Sequence, residues 1–145
     1  MKIAVDSSVI IAGVHANHPR HALAVGWITR AMAEHRLVVS HLTLLEVYAV
    51  LTRLPGDFRV TPSEARDLLA ATVQSNMAVV PFVPESIWKT LESLALCSAA
   101  GGRSYDAFVA KTVREAGAEA IATFNPAHFD GLADMQLIDP SAVLL

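Results

Sequence analysis

KIAVDSSVIIAGV (residues 2–14) is a short apolar run, an acid, two serines and a second apolar run. KIAV (Lys2–Val5) has the length and apolarity of a buried strand. Either serine after Asp6 suits the cap of a helix over VIIAGV (residues 9–14). A strand that enters a helix through a polar turn is typical of α/β folds. Asp6 is therefore predicted at the carboxyl end of the first strand.

Strand-like and helix-like segments alternate along the rest of the chain. Further strands are predicted at 37–40, 77–83, 120–123 and 135–138, and further helices at 19–34, 42–51, 61–76, 84–95 and 106–117. This alternation predicts right-handed crossovers and a parallel sheet with helices on both faces. The length fits one domain over residues 1–145, with no repeats or low-complexity tract.

Three acids stand in or beside apolar segments that are far apart in the chain. Asp6 ends the first strand, Glu46 interrupts LTLLEVYAVL (residues 42–51), and Asp106 opens DAFVAKTV (residues 106–113). A carboxylate in apolar surroundings is costly unless a cation or several donors compensate it. In open parallel sheets, ligand sites form beyond the carboxyl ends of the strands. We therefore expect the three acids to converge on one divalent cation, and oxygen ligands favour Mg²⁺ or Mn²⁺.

Each acid also has a simpler interpretation. Asp6 could cap the following helix, and Asp106 could favour the dipole at the start of its own helix. Glu46 could pair with a buried Arg such as Arg53. Three such coincidences are less economical than one shared site.

Composition indicates a cytoplasmic protein that forms an interface. Hydrophobic residues make up 53% of the chain, yet no run reaches the ~18 apolar residues of a membrane helix. Surplus apolarity predicts a surface buried against a second copy or another protein. The lone Cys97 suits a reducing compartment. The net charge of −3 argues mildly against nucleic-acid binding, but divalent cations would reverse the sign of an acidic pocket.

The histidines suggest a different metal. His15, His18 and His21 recur at three-residue spacing, and three imidazoles can hold Zn²⁺. However, Asn17–Pro19 predicts a turn that breaks their register, so a loop is expected instead. His128 lies in a polar turn close to the predicted site, where a contact with an RNA phosphate and a structural role are both open and the structural role is favoured.

Four segments together resemble the signature of PIN-domain ribonucleases, especially the VapC toxins of bacterial toxin–antitoxin pairs. The resemblance covers nearly the whole chain in the expected order. The segments are IAVDSSVIIA (3–12), SHLTLLEVYAVL (40–51), YDAFVAKTVREAG (105–117) and AIATFNPAHFDG (120–131).

The resemblance implies a three-layer α/β/α sandwich with a mostly parallel sheet of about five strands. It further implies an enzyme that cleaves RNA and whose acidic side chains bind one or two Mg²⁺ or Mn²⁺ ions. The positions that match the family's acids and their supporting groups are Asp6, Glu46, Asp106, Asn125, Ser8 and Thr123.

The roles implied for these positions differ. Asp6, Glu46 and Asp106 match the metal-binding acids, while Ser8 and Thr123 match hydroxyls that hold a carboxylate or a water in place. Asn125 matches a position that is often Asp. Because Asn adds no negative charge, this site should hold its metal more weakly than a four-acid site. Asp130, five residues further on, is not expected to compensate.

The resemblance also implies partners. VapC-type toxins form homodimers through helical faces and are neutralised by a small antitoxin that lays a helix in a groove. No base-reading motif identifies the RNA target.

Two other functions stay open from the sequence. A binding module could keep the fold and lack metal because of Asn125. A phosphotransfer protein could use Asp6 as its nucleophile, although Ser8 stands where a dehalogenase-type phosphatase has a second acid.

Overall fold

The fold, seen in a computed structural model that describes residues 1–132 and 134–142, is built on five parallel strands. They run in the order β3-β2-β1-β4-β5, so the first strand lies at the centre. Ile3 on the central strand is in register with Leu37 on one side and Ala120 on the other. The strands are β1 (Lys2–Val5), β2 (Arg36–Ser40), β3 (Ala78–Val80), β4 (Ala120–Ala122) and β5 (Gln136–Ile138).

Six helices cover the two faces of this sheet and complete the expected three-layer sandwich. They are α1 (Ser7–Val14), α2 (His21–Glu34), α3 (His41–Arg53), α4 (Pro62–Leu69), α5 (Ile87–Leu96) and α6 (Arg103–Glu115). Short 3-10 turns cover Gly56–Phe58, Pro84–Ser86 and Pro126–Phe129, and one π-helical turn, Ala70–Gln74, continues α4.

Alternate residues of the three central strands, β2, β1 and β4, enter two separate cores. Ile3 and Val5 pack with the helices that precede β3, whereas Ala4 packs with α6. Burial on both faces explains why the strands read as continuous apolar runs rather than as alternating ones. Val9 and Ile10 of α1 are fully buried beneath the carboxyl end of β1, which fixes the start of that helix against the sheet.

Several helix starts differ from the sequence prediction: α5 begins at Ile87 rather than at 84, and α6 begins at Arg103 rather than at Asp106, which lies in its first turn. Asp6, not a serine, caps α1, because its Oδ2 accepts from the Ser8 N–H at 3.4 Å. α2 begins at His21 rather than at Pro19, with Arg20 as its N-cap. The predicted capped start after Thr61 is confirmed, since Thr61 and Glu64 form a reciprocal capping box.

The third strand is shorter than predicted. β3 covers Ala78–Val80 rather than 77–83, and it lies at the edge of the sheet. Pro81 has no N–H for the ladder, so the strand ends immediately before it.

Helix α5 carries apolar side chains that the described chain leaves uncovered. Only Thr90 in this helix is buried. Trp88 is 76% exposed and Leu96 is 82% exposed, and Leu91 is also exposed. The apolar pattern of this segment therefore marks a largely open surface rather than a second packed face. Among the described residues, no helix is long and apolar enough to span a bilayer.

Candidate active site

Asp6 is the most constrained acid of the molecule. It lies directly after β1 and is 8% exposed. Its Oδ2 accepts hydrogen bonds from the Ser8 hydroxyl at 2.7 Å and the Thr123 hydroxyl at 2.8 Å. Within the described chain, its other oxygen, Oδ1, accepts no hydrogen bond. One oxygen is thus fixed by the protein while the other remains available to a ligand.

The two hydroxyls are themselves oriented by the backbone after β4. The Phe124 N–H donates to Ser8 Oγ at 3.1 Å, and the Asn125 N–H donates to Thr123 Oγ1 at 2.9 Å. Each hydroxyl oxygen accepts a hydrogen bond from a backbone N–H, and its single proton is donated to Asp6. The supporting positions assigned to Ser8 and Thr123 therefore adjoin Asp6, although they lie on different elements.

Glu46 and Asp106 bring two further carboxylates to the same rim. Burial raises the pKa of Glu46, and the negative charge of Asp6 adds to this rise; the Ser7 hydroxyl opposes it. Burial also raises the pKa of Asp106, His128 opposes this, and Asp6 raises it further. The charge of Asp6 thus acts on both acids, although Glu46 and Asp106 follow it by 40 and 100 residues in the sequence.

The three acids are not equally buried, which corrects the expectation from their apolar neighbours. Asp6 is buried and Asp106 is half-buried, whereas Glu46 is exposed as a whole residue although the atoms around its carboxyl group partly desolvate that group. The reason is that α3 buries the face that carries Thr43, Val47 and Leu51. Glu46 lies on the side of α3 that borders an open cleft.

That cleft has a volume of about 780 Å³ and lies between α3, the start of α6 and the turn after β4. Acidic, basic and apolar side chains line it. Its lining residues include Glu46, Arg53, Arg103, Tyr105, Asp106 and His128. Arg53 lowers the pKa of Glu46 only as a minor influence. In the described chain, no ion pair within 4.0 Å joins the two, so the simple pairing considered for Glu46 is absent.

Three of the cleft residues were not identified from sequence as parts of the site: Arg103, Tyr105 and His128. A local signal for two of them exists, because Arg103 and Tyr105 stand three and one positions before Asp106. His128 lies in the turn that was expected near the site, but its influence on Asp106 requires the folded loop.

Asn125 lies three residues after β4, at the start of the turn Pro126–Phe129, and contributes chiefly through its backbone. Its N–H donates to Thr123, and its carbonyl accepts from the His128 N–H at 3.0 Å. Its side chain is exposed. Asn125 therefore holds the turn in place, and its carboxamide lies outside the network around Asp6.

The histidines near Pro19 have separate backbone partners. His15 Nε2 contacts the Phe58 carbonyl at 2.9 Å, and His21 Nδ1 contacts the Ala12 carbonyl at 2.8 Å. His18 Nδ1 accepts from the Arg20 N–H at 3.0 Å. These contacts agree with the loop predicted for this segment and assign a structural role to each ring.

The residue types at the rim fit a hard divalent cation. All three acids offer carboxylate oxygens; burial is the main cause of the raised pKa values of Glu46 and Asp106, and repulsion from Asp6 adds a smaller part that a cation would relieve. Across residues 1–132 and 134–142, no three His, Cys, Asp or Glu side chains form a preassembled metal cage. Mg²⁺ usually keeps several waters and needs few direct protein ligands.

A five-stranded parallel sheet with Asp6 beyond the carboxyl end of its central strand has the architecture of a PIN-like α/β domain. The sequence matches the PIN domain family over residues 3–134. It is 33% identical over 117 residues to Ribonuclease VapC27 of Mycobacterium tuberculosis H37Rv, covering 81% of this chain and 80% of that protein. Identity to Ribonuclease VapC40 of the CDC 1551 strain is 34% over 117 residues, covering 81% and 82%. The chain therefore belongs to the PIN domain family and, within it, to the VapC ribonucleases.

Solved structures share this fold. A VapBC2 complex of Rickettsia felis, bound to promoter DNA, superposes with a TM-score of 0.69 at 14% identity, covering 94% of this chain and 97% of that one. VapC20 of M. tuberculosis, a toxin that cleaves the sarcin-ricin loop, superposes with a TM-score of 0.61 at 21% identity, covering 82% and 86%.

The raised pKa values predict a stability effect in metal-free protein. A carboxyl whose pKa is higher in the folded state contributes stability at low pH, and this contribution is lost as pH rises through the folded pKa. We therefore expect Glu46→Gln and Asp106→Asn to raise Tm in EDTA. The increase should grow as the pH rises through the pKa that each carboxyl group has in the folded wild type. Differential scanning calorimetry over a pH series measures it. Glu92→Gln, on the exposed side of α5, is the control, and equal margins for all three variants would contradict the prediction.

Proposed function

We propose that this protein is a Mg²⁺- or Mn²⁺-dependent endoribonuclease and the toxin of a toxin–antitoxin pair. Asp6, Glu46 and Asp106 would hold the metal. The observation that carries this proposal is the state of Asp6, which has one oxygen fixed by two hydroxyls and one oxygen available beside two other acids. The ribonuclease relatives support the reaction class.

A divalent cation supplies Lewis-acid polarisation of a phosphodiester and makes water a better nucleophile. The residues of the chain perform the positioning. Ser8 and Thr123 orient Asp6, because their hydroxyls both donate to Oδ2 and hold it in a fixed direction. We assign Asn125 to the same site as a neutral fourth position that supports Thr123 through its N–H. Without a fourth charge, the site would bind metal less tightly than a four-acid version.

The test of the reaction is RNA cleavage by the purified protein with Mg²⁺, with Mn²⁺ and with EDTA. Cleavage is expected with either metal and not with EDTA. Hydrolysis by water breaks the bond between phosphorus and the leaving ribose oxygen, so one product keeps the phosphate as a monoester. A 2′,3′-cyclic phosphate would instead show attack by the ribose hydroxyl. Cleavage that persists in EDTA would contradict the proposal.

RNA binding without cleavage under any metal condition would favour the binding-module alternative. A stable phosphoryl group on Asp6 would favour the phosphotransfer alternative. The observed Ser8 and Thr123 hydrogen bonds to Asp6 support neither of these over hydrolysis, and the family membership favours hydrolysis.

The supporting hydroxyls give a graded prediction. Thr123 is fully buried and donates to Asp6, so Thr123→Ala should leave Oδ2 underbonded and misorient it. Loss of such an outer partner typically costs 10–100-fold in metal affinity or activity. We expect this loss in Mn²⁺ affinity by calorimetry and in the rate of RNA cleavage. Thr123→Ser keeps the hydroxyl and should stay within a few-fold of wild type; equal losses in both variants would contradict the assigned role.

Two assemblies belong to the proposal. A small antitoxin encoded with this chain would neutralise it, as suggested by the VapBC complexes that share the fold. A homodimer would cover the apolar surface of α5, where Trp88 and Leu96 are exposed. The cytoplasm is the expected compartment.

The homodimer can be tested by charge insertion. Trp88→Lys with Leu96→Lys places two charges on the surface of α5, and we expect the mass from light scattering to halve. Phe58→Lys, at a site that is 53% exposed but lies on another part of the surface, is the control. A protein whose wild type is monomeric, or whose double variant stays dimeric, contradicts this interface.

A further inference from the structure

The cleft beside the three acids contains side chains that metal binding does not use. Arg53 and Arg103 line it together with Tyr105, which is 63% exposed. Neither arginine forms an ion pair within 4.0 Å in the part of the chain that the structure describes. Two guanidinium groups and one aromatic ring therefore face the same open space as Glu46 and Asp106.

Helix geometry places each arginine beside an acid. Arg53 follows Glu46 by seven residues on α3, and Arg103 precedes Asp106 by three residues on α6. Residues at these spacings lie on the same helix face. Each wall of the cleft thus combines an acid near its centre with a basic group further along. Single-stranded nucleic acid presents alternating phosphates and bases to such a surface.

Arg103 is held in place by the turn after β4. Its Nη2 donates to the Asp130 carbonyl, which joins the start of α6 to that turn. A planar guanidinium that is anchored at one nitrogen still offers other N–H donors to a phosphate. Tyr105 differs, since its phenol makes no hydrogen bond with any described residue, and its exposed ring has the character of a stacking platform.

We propose that Arg53 and Arg103 bind the phosphates that flank the scissile phosphodiester, and that Tyr105 stacks on an adjoining base of single-stranded RNA. This inference rests on the proposed ribonuclease function and specifies how its substrate is seated. The three residues position the strand so that one phosphate lies over the acids. Recognition of this kind favours unpaired RNA and tolerates different bases, because every base has a stacking face.

The salt dependence of RNA binding tests the arginines. Binding of a fluorescent single-stranded oligoribonucleotide is measured by anisotropy in EDTA, which prevents cleavage, at several salt concentrations. Arg53→Gln and Arg103→Gln should each weaken binding and reduce the slope of log K against log salt by about 0.7. Arg66→Gln removes the same charge from an exposed arginine of α4 that pairs with Asp67, and its slope should equal that of wild type.

The ring is tested by a conservative pair. Tyr105→Ala should weaken RNA binding about tenfold, while Tyr105→Phe, which keeps the ring, should bind like wild type. With Mg²⁺ present, the arginine variants should raise KM more than they lower kcat. Arg103→Gln could also loosen the turn after β4. A Tm equal to that of the wild type would show that it does not.

The outcomes separate this inference from the proposed function. Wild-type protein that neither binds nor cleaves RNA overturns both. A different result overturns only the seating of the strand. In that case the wild type cleaves RNA, and RNA binding by Arg53→Gln, Arg103→Gln and Tyr105→Ala equals that of Arg66→Gln. A salt slope that falls in the two cleft variants alone supports it.

Discussion

Asp6→Asn is expected to lower RNA cleavage at least 100-fold, because the amide replaces the only buried carboxylate of the site. Removing an outer partner of a metal ligand already costs about 10–100-fold, so loss of a ligand itself should cost more. The amide oxygen can still accept from Ser8 and Thr123 in place of Oδ2, which puts the NH₂ group at the position of Oδ1, where it donates hydrogen bonds and cannot ligate a cation. Initial rates on a defined oligoribonucleotide with Mg²⁺ measure this effect.

A charge-matched variant controls for Asp6→Asn. Asp57→Asn removes the same charge from the exposed turn Gly56–Phe58 and should leave the cleavage rate within about twofold of wild type. A wild-type cleavage rate in Asp6→Asn would show that the Asp6 carboxylate is not needed for the reaction. Slow rates in both variants would point to net charge rather than to this site.

Phe129→Ala is expected to give the largest loss of stability. The Phe129 ring is 2% exposed and packs into the core between the sheet and α6. Truncation of a buried Phe typically costs about 3–5 kcal/mol. For a chain of this size, that corresponds to a fall in Tm of about 10 °C. Urea denaturation followed by circular dichroism gives the free energy of unfolding directly.

Phe58→Ala is the matched substitution at an exposed ring. It should cost under about 1 kcal/mol because that ring is 53% exposed. Because Phe129 ends the turn that carries Asn125 and His128, its truncation should also loosen the rim of the site. A similar small loss for both variants would show that the turn after β4 is not anchored by Phe129.

Local sequence signals predicted much of this fold. Residues 2–14 encode a strand, a cap and a helix within one continuous segment, and Thr61 and Glu64 form a reciprocal cap that needs no distant contact. The parallel sheet followed from the alternation of elements. The strand order β3-β2-β1-β4-β5 was not available in the same way, because it depends on which crossovers the packed helices permit.

The site shows where sequence reasoning fails. The apolar segment around Glu46 offers hydrophobic residues on nearly every face of α3, so its pattern does not select the face that is buried. The structure buries Thr43, Val47 and Leu51 and leaves Glu46 at the cleft. Arg53 shares a face of α3 with Glu46, whereas His128 reaches that cleft only through tertiary packing. The positions of Asp6 after β1 and of Asp106 in the first turn of α6 were predictable from local sequence, whereas the unequal burial of the three acids was not.

The central claim is that Asp6, Glu46 and Asp106 jointly bind one metal site. The most direct measurement is a calorimetric titration of metal-free protein with Mn²⁺. It is made on the wild type and on Asp6→Asn, Glu46→Gln and Asp106→Asn. We predict Mn²⁺ binding by the wild type, with an affinity that each of the three substitutions weakens. Equal affinities in all four proteins, or no Mn²⁺ binding by the wild type, would contradict the claim.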